Sequence, residues 1–362
     1  MESGLENVVA AETVLSDVDG QGGRLIVRGV SLDALTGWTF EALTGLLFEG
    51  FFDDLPDSTA LPAALGAARA RVFRHVASID QGMLALPPTD AVRALLARLP
   101  DRTDFEAALD LLAGPAVFTP AILRLRRGQA AIAPDPRIGH AADMLAMLAG
   151  EPQKPAAARA LNTYLVTVAD HGLNASTFAA RVVASTRAGL TSSALAALSA
   201  LKGPLHGGAP GPVLDMLDAI ATPEAAEPWL EQALDRGDRL MGFGHRIYRV
   251  RDPRADALKG AVRAMAEGGA IDPDRLQLAE AIEAAALAIL RRRKPDRPLD
   301  TNVEFYTALL LEALGFPREA FTAVFATGRM AGWIAHAREQ VQDGRIIRPQ
   351  SRYVGPRPLE VA

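Results

Sequence analysis

The sequence predicts an all-α protein, and three observations carry that prediction. From Ser31 onward apolar residues recur at helical spacing for most of the chain. The breaks between these runs are proline or glycine. Strand-like alternation is confined to one short region near the start.

That region, Val8 to Val27, alternates weakly and carries Asp19-Gly20 and Gly22-Gly23, so it reads as a small β-ribbon with a turn, too little for a sheet domain. Helical spacing then marks Leu32 to Phe52, Ala60 to Ser78, Asp90 to Ala97, Asp104 to Leu112, Pro120 to Arg127 and Ala141 to Ala149. Pro155 to Asp170 follows. Asn174, Ser176 or Thr177 is placed to cap a helix through Ser185, which leaves His171 in the connection before it. Ser192 to Leu201 is stopped by Gly203-Pro204, and helices from about Pro212 to Ile220 and Ala225 to Leu234 come next. "DRLMGFGHRIYRVRDPRA" is mostly loop, ending where Pro253 opens a helix capped by Asp252. The alanine-rich stretch Asp272 to Arg293 ends in Arg291, Arg292, Arg293 and Lys294, a basic run favoured there by the helix dipole. Asn302 caps a helix through Leu314, "GFPREAF" turns, and a last helix continues to Gln340. The tail, with Arg345, Arg348 and Arg352, lacks periodicity; it reads as extended and is a candidate for packing on a partner chain. No internal repeat or low-complexity linker is present, so a second domain is expected as an insertion roughly between Pro212 and Phe316.

Composition narrows the function classes. A chain of 362 residues can build one large domain or two that share a cleft, and 49% hydrophobic with 22% charged residues is the balance of a soluble globular protein. With no cysteine, a disulfide framework, a thiolate metal site and a cysteine nucleophile are all excluded. The start, "MESGLENVV", has no basic segment leading into an apolar run, and no uncharged apolar stretch is long enough to cross a bilayer. The expectation is a soluble, unexported, cytoplasmic protein without a membrane partner. A net charge of -5 argues against nucleic acid as a partner. The basic side chains are nearly all arginine, which suits the gripping of carboxylates and phosphates.

Chemistry concentrates between Leu201 and Tyr248. His206 and His245 each sit in a glycine-flanked break between apolar runs, where the backbone can turn an imidazole toward a ligand. His206 reads either as a neutral donor to a carbonyl oxygen or as a helix-cap residue whose glycines serve only close packing. "GFGHRIYRVRDPRA" says more, because it sets a histidine among Arg239, Arg246, Arg249, Arg251 and Arg254, a grouping that suits an anionic visitor; an ordinary surface loop is the other reading. Glu304 in "TNVEFYTALLL" reads by itself as a common acid in a first helical turn. A metal site from His171, His206, His245 and Glu304 competes, although none of them pair at i, i+3 or i, i+4 on one helix.

Taken together, "GPLHGGAP", "GFGHRIYRVRDPRA", "NVEFYTALLLEALGFP", "VFATGRMAGWIAH" and "IIRPQSRYVG" resemble, in order, the successive active-site segments of the citrate synthase family. The N-terminal part is similar to the opening of its shorter bacterial members, so the resemblance spans nearly the whole chain. It implies an all-α homodimer with a large domain, residues 1–211 and 317–362, and a small domain, residues 212–316, that closes on substrate. The implied activity condenses acetyl-CoA with oxaloacetate and then hydrolyses the citryl thioester, with no cofactor beyond the substrates. By motif, His206 would stabilise the enolate, His245 would polarise the keto carbonyl and Glu304 would take the methyl proton. His171, Arg254, Arg329 and, from the neighbouring subunit, Arg348 would hold oxaloacetate, while Met241, Gly242 and Arg249 would meet CoA. Charge on the enolate oxygen must be stabilised by fixed donors, since a general base alone is insufficient, and closure over oxaloacetate first would protect the thioester from early hydrolysis.

Three departures from the pattern stand out. Glu304 replaces the usual aspartate base, though glutamate also occurs in some shorter members; Val168 stands where an additional histidine is frequent; Pro210 follows "HGGA". A 2-methylcitrate synthase using propionyl-CoA, a catalytically silent relative that binds CoA or a dicarboxylate, and a metal-dependent hydrolase are the alternatives, and one methylene in a pocket discriminates by only about 1 to 3 kcal/mol.

Overall fold

The computed structural model describes residues 4–5, 8–207, 210–245, 247–248, 250–296 and 299–356. It is overwhelmingly helical, with one small antiparallel sheet of order β1-β2-β3, where β1 is Ser16–Asp19, β2 is Arg24–Val27 and β3 is Val30–Ser31. Ser16 faces Val27 and Asp19 faces Arg24 across the hairpin. Its turn closes because Asp19 accepts the amide N–H groups of Gln21 (3.1 Å) and Gly22 (2.7 Å), while Leu25 and Val27 point into the core. The ribbon therefore forms where the alternation and glycine pairs place it, with β3 as an addition.

Two helices differ from the periodicity reading. The run from Leu32 to Phe52 divides into Leu32–Leu35 and Phe40–Phe48, because Thr39 accepts from Ala42 N–H (3.1 Å) and Asn162 accepts from Phe40 N–H (2.9 Å), creating a new helix start. Conversely, the expected pair Asp104 to Leu112 and Pro120 to Arg127 is one helix, Phe105–Arg126, which runs through Pro115 and Pro120. Each internal proline costs about 3 kcal/mol in an exposed helix. Here every residue from Phe105 to Leu123 except Glu106 is buried, and that burial offsets the loss. By length and hydropathy this helix could span a membrane; its side chains lie inside the protein core. A short helix at Gln81–Ala85, capped by Asp80, was not visible as a period.

The final helix, Phe321–Asp343, crosses the core and packs on Phe105–Arg126, Pro155–Val168, Ala175–Ser185 and Leu190–Leu201. Gly328 and Gly332 allow the approach: a Cβ at Gly328 would sit 2.8 Å from Leu165 O, and one at Gly332 2.3 Å from Ala169 O. That contact brings Arg329, between the glycines, against the end of Pro155–Val168, from which the chain turns into His171. Farther along, Pro253–Glu267 packs on both Val303–Ala313 and Pro155–Val168, while Ala226–Asp235 packs on Pro273–Arg293.

Candidate active site

His245 and Glu304 share one backbone frame. Phe243 forms a β-bridge with Thr301, Gly244 N–H donates to Asp300 O (2.7 Å), and Asn302 N–H donates to Gly242 O (2.9 Å). Asn302 then reaches back to Gly244 O through its side-chain amide (2.8 Å) and forward, as N-cap, to accept Glu304 N–H (3.0 Å). Gly242 and Gly244 have φ of +83° and +81°, and a Cβ on Gly242 would stand 2.8 Å from the Phe305 ring. Asp252 ties in the far end of the loop. Its carboxylate accepts Arg254 Nε (3.0 Å), Arg254 Nη2 (2.8 Å) and Val303 N–H (3.2 Å), so a buried ion pair anchors the helix that carries Glu304.

Proton positions follow from these partners. His245 Nδ1 accepts the amide N–H groups of Ile247 (3.0 Å) and Tyr248 (3.1 Å), which fixes the ring proton of the neutral form on Nε2. Yet Nε2 lies 3.0 Å from Arg254 Nη2, also a donor. Two donors thus face each other, an arrangement relieved by an acceptor placed between them. Burial, then Arg254, holds His245 down to about 4, so the imidazole is neutral at pH 7. His171 packs edge-on against it, with ring centroids 5.8 Å apart, and its Nε2 is 3.2 Å from the Tyr248 hydroxyl. Burial first, and then Arg254 and Arg329, keep His171 well below the ordinary histidine value.

Arg329 is 2% exposed. Its Nε donates to Val168 O (2.5 Å) and its guanidinium lies 4.8 Å over the Phe325 ring, but among the described residues no carboxylate pairs with it. Burial lowers it to about 10, a sign of how costly this isolated charge is.

His206 approaches from the turn after Leu190–Leu201. A Cβ on Gly207 would lie 2.4 Å from Leu201 O, and Thr322 holds Gly207 O at 3.1 Å, so the turn is tightly seated. His206 Nε2 meets Ser176 Oγ at 2.8 Å and the Ser176 amide N–H at 3.4 Å, which favours the tautomer with the proton on Nδ1. Ser176 is in turn fixed by Trp333 Nε1, which donates to its oxygen (3.2 Å), and by Asn174 Oδ1 (2.8 Å). Burial, then Arg329, holds His206 down to about 4. The half-buried Glu304 carboxylate has no hydrogen-bond partner among the described residues. Burial raises it above the usual carboxylate value against the pull of Arg254 and Arg239.

His171, His245, Arg254 and Arg329 are therefore brought together, with Glu304 and His206 at the margins of the same cluster. Met241 is half-buried against the core and Gly242 is the positive-φ glycine already described. Arg249, like Arg246, lies outside the described residues. Arg348 is exposed on the extended tail, which Ile347 N–H fastens to Ser185 Oγ (3.0 Å). Sequence reasoning missed Ser176, Trp333 and Tyr248 as members of the site, and it read Asp252 only as a cap. No group of three His, Asp or Glu side chains among the described residues is placed to hold a metal ion. A separate open cleft of about 640 Å³, lined by residues such as Lys154, Ile271, Arg275 and Leu314, contains none of these histidines, so the convergence of donors, not volume, locates the site.

Comparison with known proteins places the chain in a family. Residues 4–350 match the family described as "Citrate synthase, C-terminal domain". The chain is 38% identical to "Putative citrate synthase 2" of Mycobacterium tuberculosis over 98% of its own length and 93% of that protein. It is 35% identical to the citrate synthase of Haloferax volcanii, covering 99% and 97% of the two chains. A 2-methylcitrate synthase of M. tuberculosis is also 35% identical, covering 98% and 91%. Among solved structures, citrate synthase from Thermotoga maritima superposes with a TM-score of 0.84 at 32% identity, covering 100% of this chain and 98% of that one. The Thermoplasma acidophilum citrate synthase, solved as a ternary complex with carboxymethyl coenzyme A and oxaloacetate, superposes with a TM-score of 0.84 at 27% identity, covering 99% of this chain and 97% of that one.

Proposed function

Because the chain belongs to the citrate synthase family, whose members are enzymes, we propose that it condenses acetyl-CoA with oxaloacetate and water to give citrate and CoA. The observation that carries this reading is the donor face-off between His245 Nε2 and Arg254 Nη2, beside Arg329, with which no carboxylate among the described residues forms an ion pair. A 2-keto dicarboxylate supplies what this arrangement lacks. Its keto oxygen accepts from His245 Nε2–H, and its carboxylates pair with Arg254, Arg329 and His171, joined by Arg348 from the neighbouring subunit of a homodimer.

In this mechanism Glu304 removes a proton from the acetyl methyl carbon, and the electron pair moves onto the thioester oxygen. His206 Nδ1–H stabilises that oxygen. The enolate carbon attacks the keto carbon, the resulting alkoxide takes the proton from His245 Nε2, and the methyl proton held by Glu304 returns the imidazole to its neutral form. Water then cleaves the citryl thioester and CoA leaves as the thiol, so no cofactor beyond the substrates is required. Met241, Gly242 and Arg249 meet the CoA. Residues 212–316 act as a small domain that closes on the remainder, 1–211 and 317–362, over bound oxaloacetate, consistent with a soluble cytoplasmic enzyme.

The 2-methylcitrate synthase relative supports a second reading, in which propionyl-CoA uses the same machinery. Thiol release from acetyl-CoA and from propionyl-CoA, each with and without oxaloacetate, tests both. No oxaloacetate-dependent release from either substrate would leave a silent CoA- or dicarboxylate-binding relative as the better account. The ratio of the two kcat/KM values assigns the substrate.

A further inference from the structure

The N-terminal ribbon touches both loops that carry the keto-acid histidines. Ser16, the first residue of β1, donates its hydroxyl proton to Asp170 Oδ2 (2.5 Å) and accepts the amide N–H of Gly172 (2.9 Å). These two contacts flank His171 directly. The turn they hold is sharp, with Gly172 at φ +62°, and Val18 lies so close that a Cβ on Gly172 would be 3.3 Å from its Cγ2. Asp170 is 1% exposed, and its second oxygen receives His336 Nε2 (3.2 Å), whose Nδ1 accepts from Arg181 Nη1 (3.1 Å). Arg181 pairs with Glu339, and Glu339 accepts Val14 N–H (2.8 Å) and the Thr13 hydroxyl (3.2 Å). The segment entering the ribbon is thus fastened to the last helix before it reaches the His171 turn.

At the other end the hairpin leans on the His245 loop. A Cβ on Gly20 would be 2.4 Å from Ile247 O, and one on Gly23 would be 2.8 Å from Val250 Cγ2. Ile247 N–H is one of the two donors that orient His245 through Nδ1. Among the described residues the ribbon makes no hydrogen bond to the turn that carries His206.

We propose that this ribbon is a strut that sets the distance between His171 and His245, with Ser16 as the positioning residue for the first and the Gly20 to Gly23 hairpin as the support of the second. The identity of the ligand, oxaloacetate, rests on the function proposed above. Ser16 acts through Asp170 and Gly172 and touches no substrate. Its hydroxyl bond to a buried carboxylate is charge-assisted, and the paired strand behind it limits how far the turn can drift. The effect falls mainly on the keto-acid step: Ser16 reaches His206 only at a remove, through Gly172, Asn174 and Ser176, and the turn that carries His206 is also held by Thr322.

The test uses the full-length protein as Ser16→Ala, Ser16→Thr and Gly20→Ala, measuring both KM values, kcat and the calorimetric Kd for oxaloacetate. Ser16→Ala is expected to raise KM and Kd for oxaloacetate roughly tenfold, the scale of one lost charge-assisted hydrogen bond, with the acyl-CoA KM unchanged. Ser16→Thr keeps the hydroxyl and restores most of the affinity. Gly20→Ala, which leaves Ser16 intact and displaces Ile247, also weakens oxaloacetate selectively. Equal loss in both KM values, or unchanged oxaloacetate affinity in Ser16→Ala and Gly20→Ala, overturns the strut while the synthase reading stands. A wild-type protein that neither binds oxaloacetate nor releases thiol with it overturns the synthase reading, and the strut falls with it.

Discussion

Shortening Glu304 to aspartate probes whether this carboxylate is the base and how rigidly it is held. The side chain loses one methylene, so its oxygens retreat by about 1 Å unless the backbone follows. Four features prevent that. Glu304 N–H is held by Asn302 Oδ1 (3.0 Å), Val303 N–H by Asp252 Oδ2 (3.2 Å) and Asn302 N–H by Gly242 O (2.9 Å). Phe305, fully buried, is wedged against Gly242. A misplacement of ~1 Å costs on the order of 100-fold in rate, or about 2.7 kcal/mol of barrier. Glu304→Asp should therefore lose about two orders of magnitude in kcat with oxaloacetate affinity intact. Glu304→Gln, which cannot accept the proton, should lose more, up to roughly 10⁴-fold. The assay is thiol release at saturating oxaloacetate, repeated with acetyl-CoA deuterated on the methyl group. In Glu304→Asp the isotope effect should grow as proton removal limits the rate. Wild-type kcat in Glu304→Asp would refute the rigid frame, and wild-type kcat in Glu304→Gln would refute Glu304 as base.

Other consequences follow from the same geometry. Arg329→Ala removes the buried guanidinium that no carboxylate among the described residues pairs with, so the KM for oxaloacetate should rise at least about 100-fold, with little effect on acyl-CoA; an unchanged KM would show that the charge serves packing alone. His206 and His245, each held at about 4 by burial and then by Arg329 and Arg254 respectively, should stay neutral down through pH 6 when followed by NMR of labelled imidazole carbons. A midpoint for either near the ordinary value of about 6.5 would contradict the burial. Since their folded values are depressed, the stability linked to them is complete above about pH 6.5 and is lost as pH falls through their folded values. Glu283 accepts from Lys259 Nζ (2.6 Å), Tyr306 OH (2.6 Å), Thr301 Oγ1 (2.7 Å) and Arg251 Nη1 (3.1 Å). Burial pushes Glu283 up, but Lys259, Tyr306 and Thr301 outweigh it and bring it to about 2. Glu283→Gln should destabilise the protein by about 3 to 5 kcal/mol in urea unfolding. Its stabilising effect is present above the usual carboxylate range and lost as pH falls toward about 2, so the gap between the two proteins should narrow in acid. A gap independent of pH would place the effect in packing.

Much of this was legible in the chain itself, and the reasons differ by residue. The caps at Asp252 and Asn302 were readable, and Asn174 was one of three candidates with Ser176 and Thr177, because a side chain that bonds its own helix is a local matter. The clustering of His171, His245 and Arg254 was expected from motifs, and it appears because Gly242 and Gly244 permit the backbone pairing with residues 300–302. What remained hidden was that Asp104 to Leu112 and Pro120 to Arg127 form the single helix Phe105–Arg126, since Pro115 and Pro120 read as breaks and only the burial of the assembled core offsets them. Ser176, Trp333 and Ser16 were hidden for another reason. Each acts across a long sequence separation, 157 residues for Trp333 to Ser176 and 154 for Ser16 to Asp170, and no local pattern encodes such a partner.

Val168 shows how one departure from the family pattern is accommodated. The resemblance to the family implies an additional histidine at that position, and an apolar side chain there offers His171 no polar partner. Val168 is fully buried, however, and a Cβ on Gly328 would stand 2.6 Å from its Cγ2, so valine fills the contact where the last helix presses on the turn. Its carbonyl oxygen takes Arg329 Nε, a service any residue could give through its backbone. Support for His171 comes instead from Tyr248, whose hydroxyl meets Nε2, and from Asp170 and Gly172 on either side, both held by Ser16. The polar support of His171 thus comes from the ribbon and the His245 loop. Its position depends on elements that also contact His245, so by the strut proposed above a change in one histidine loop is felt by the other.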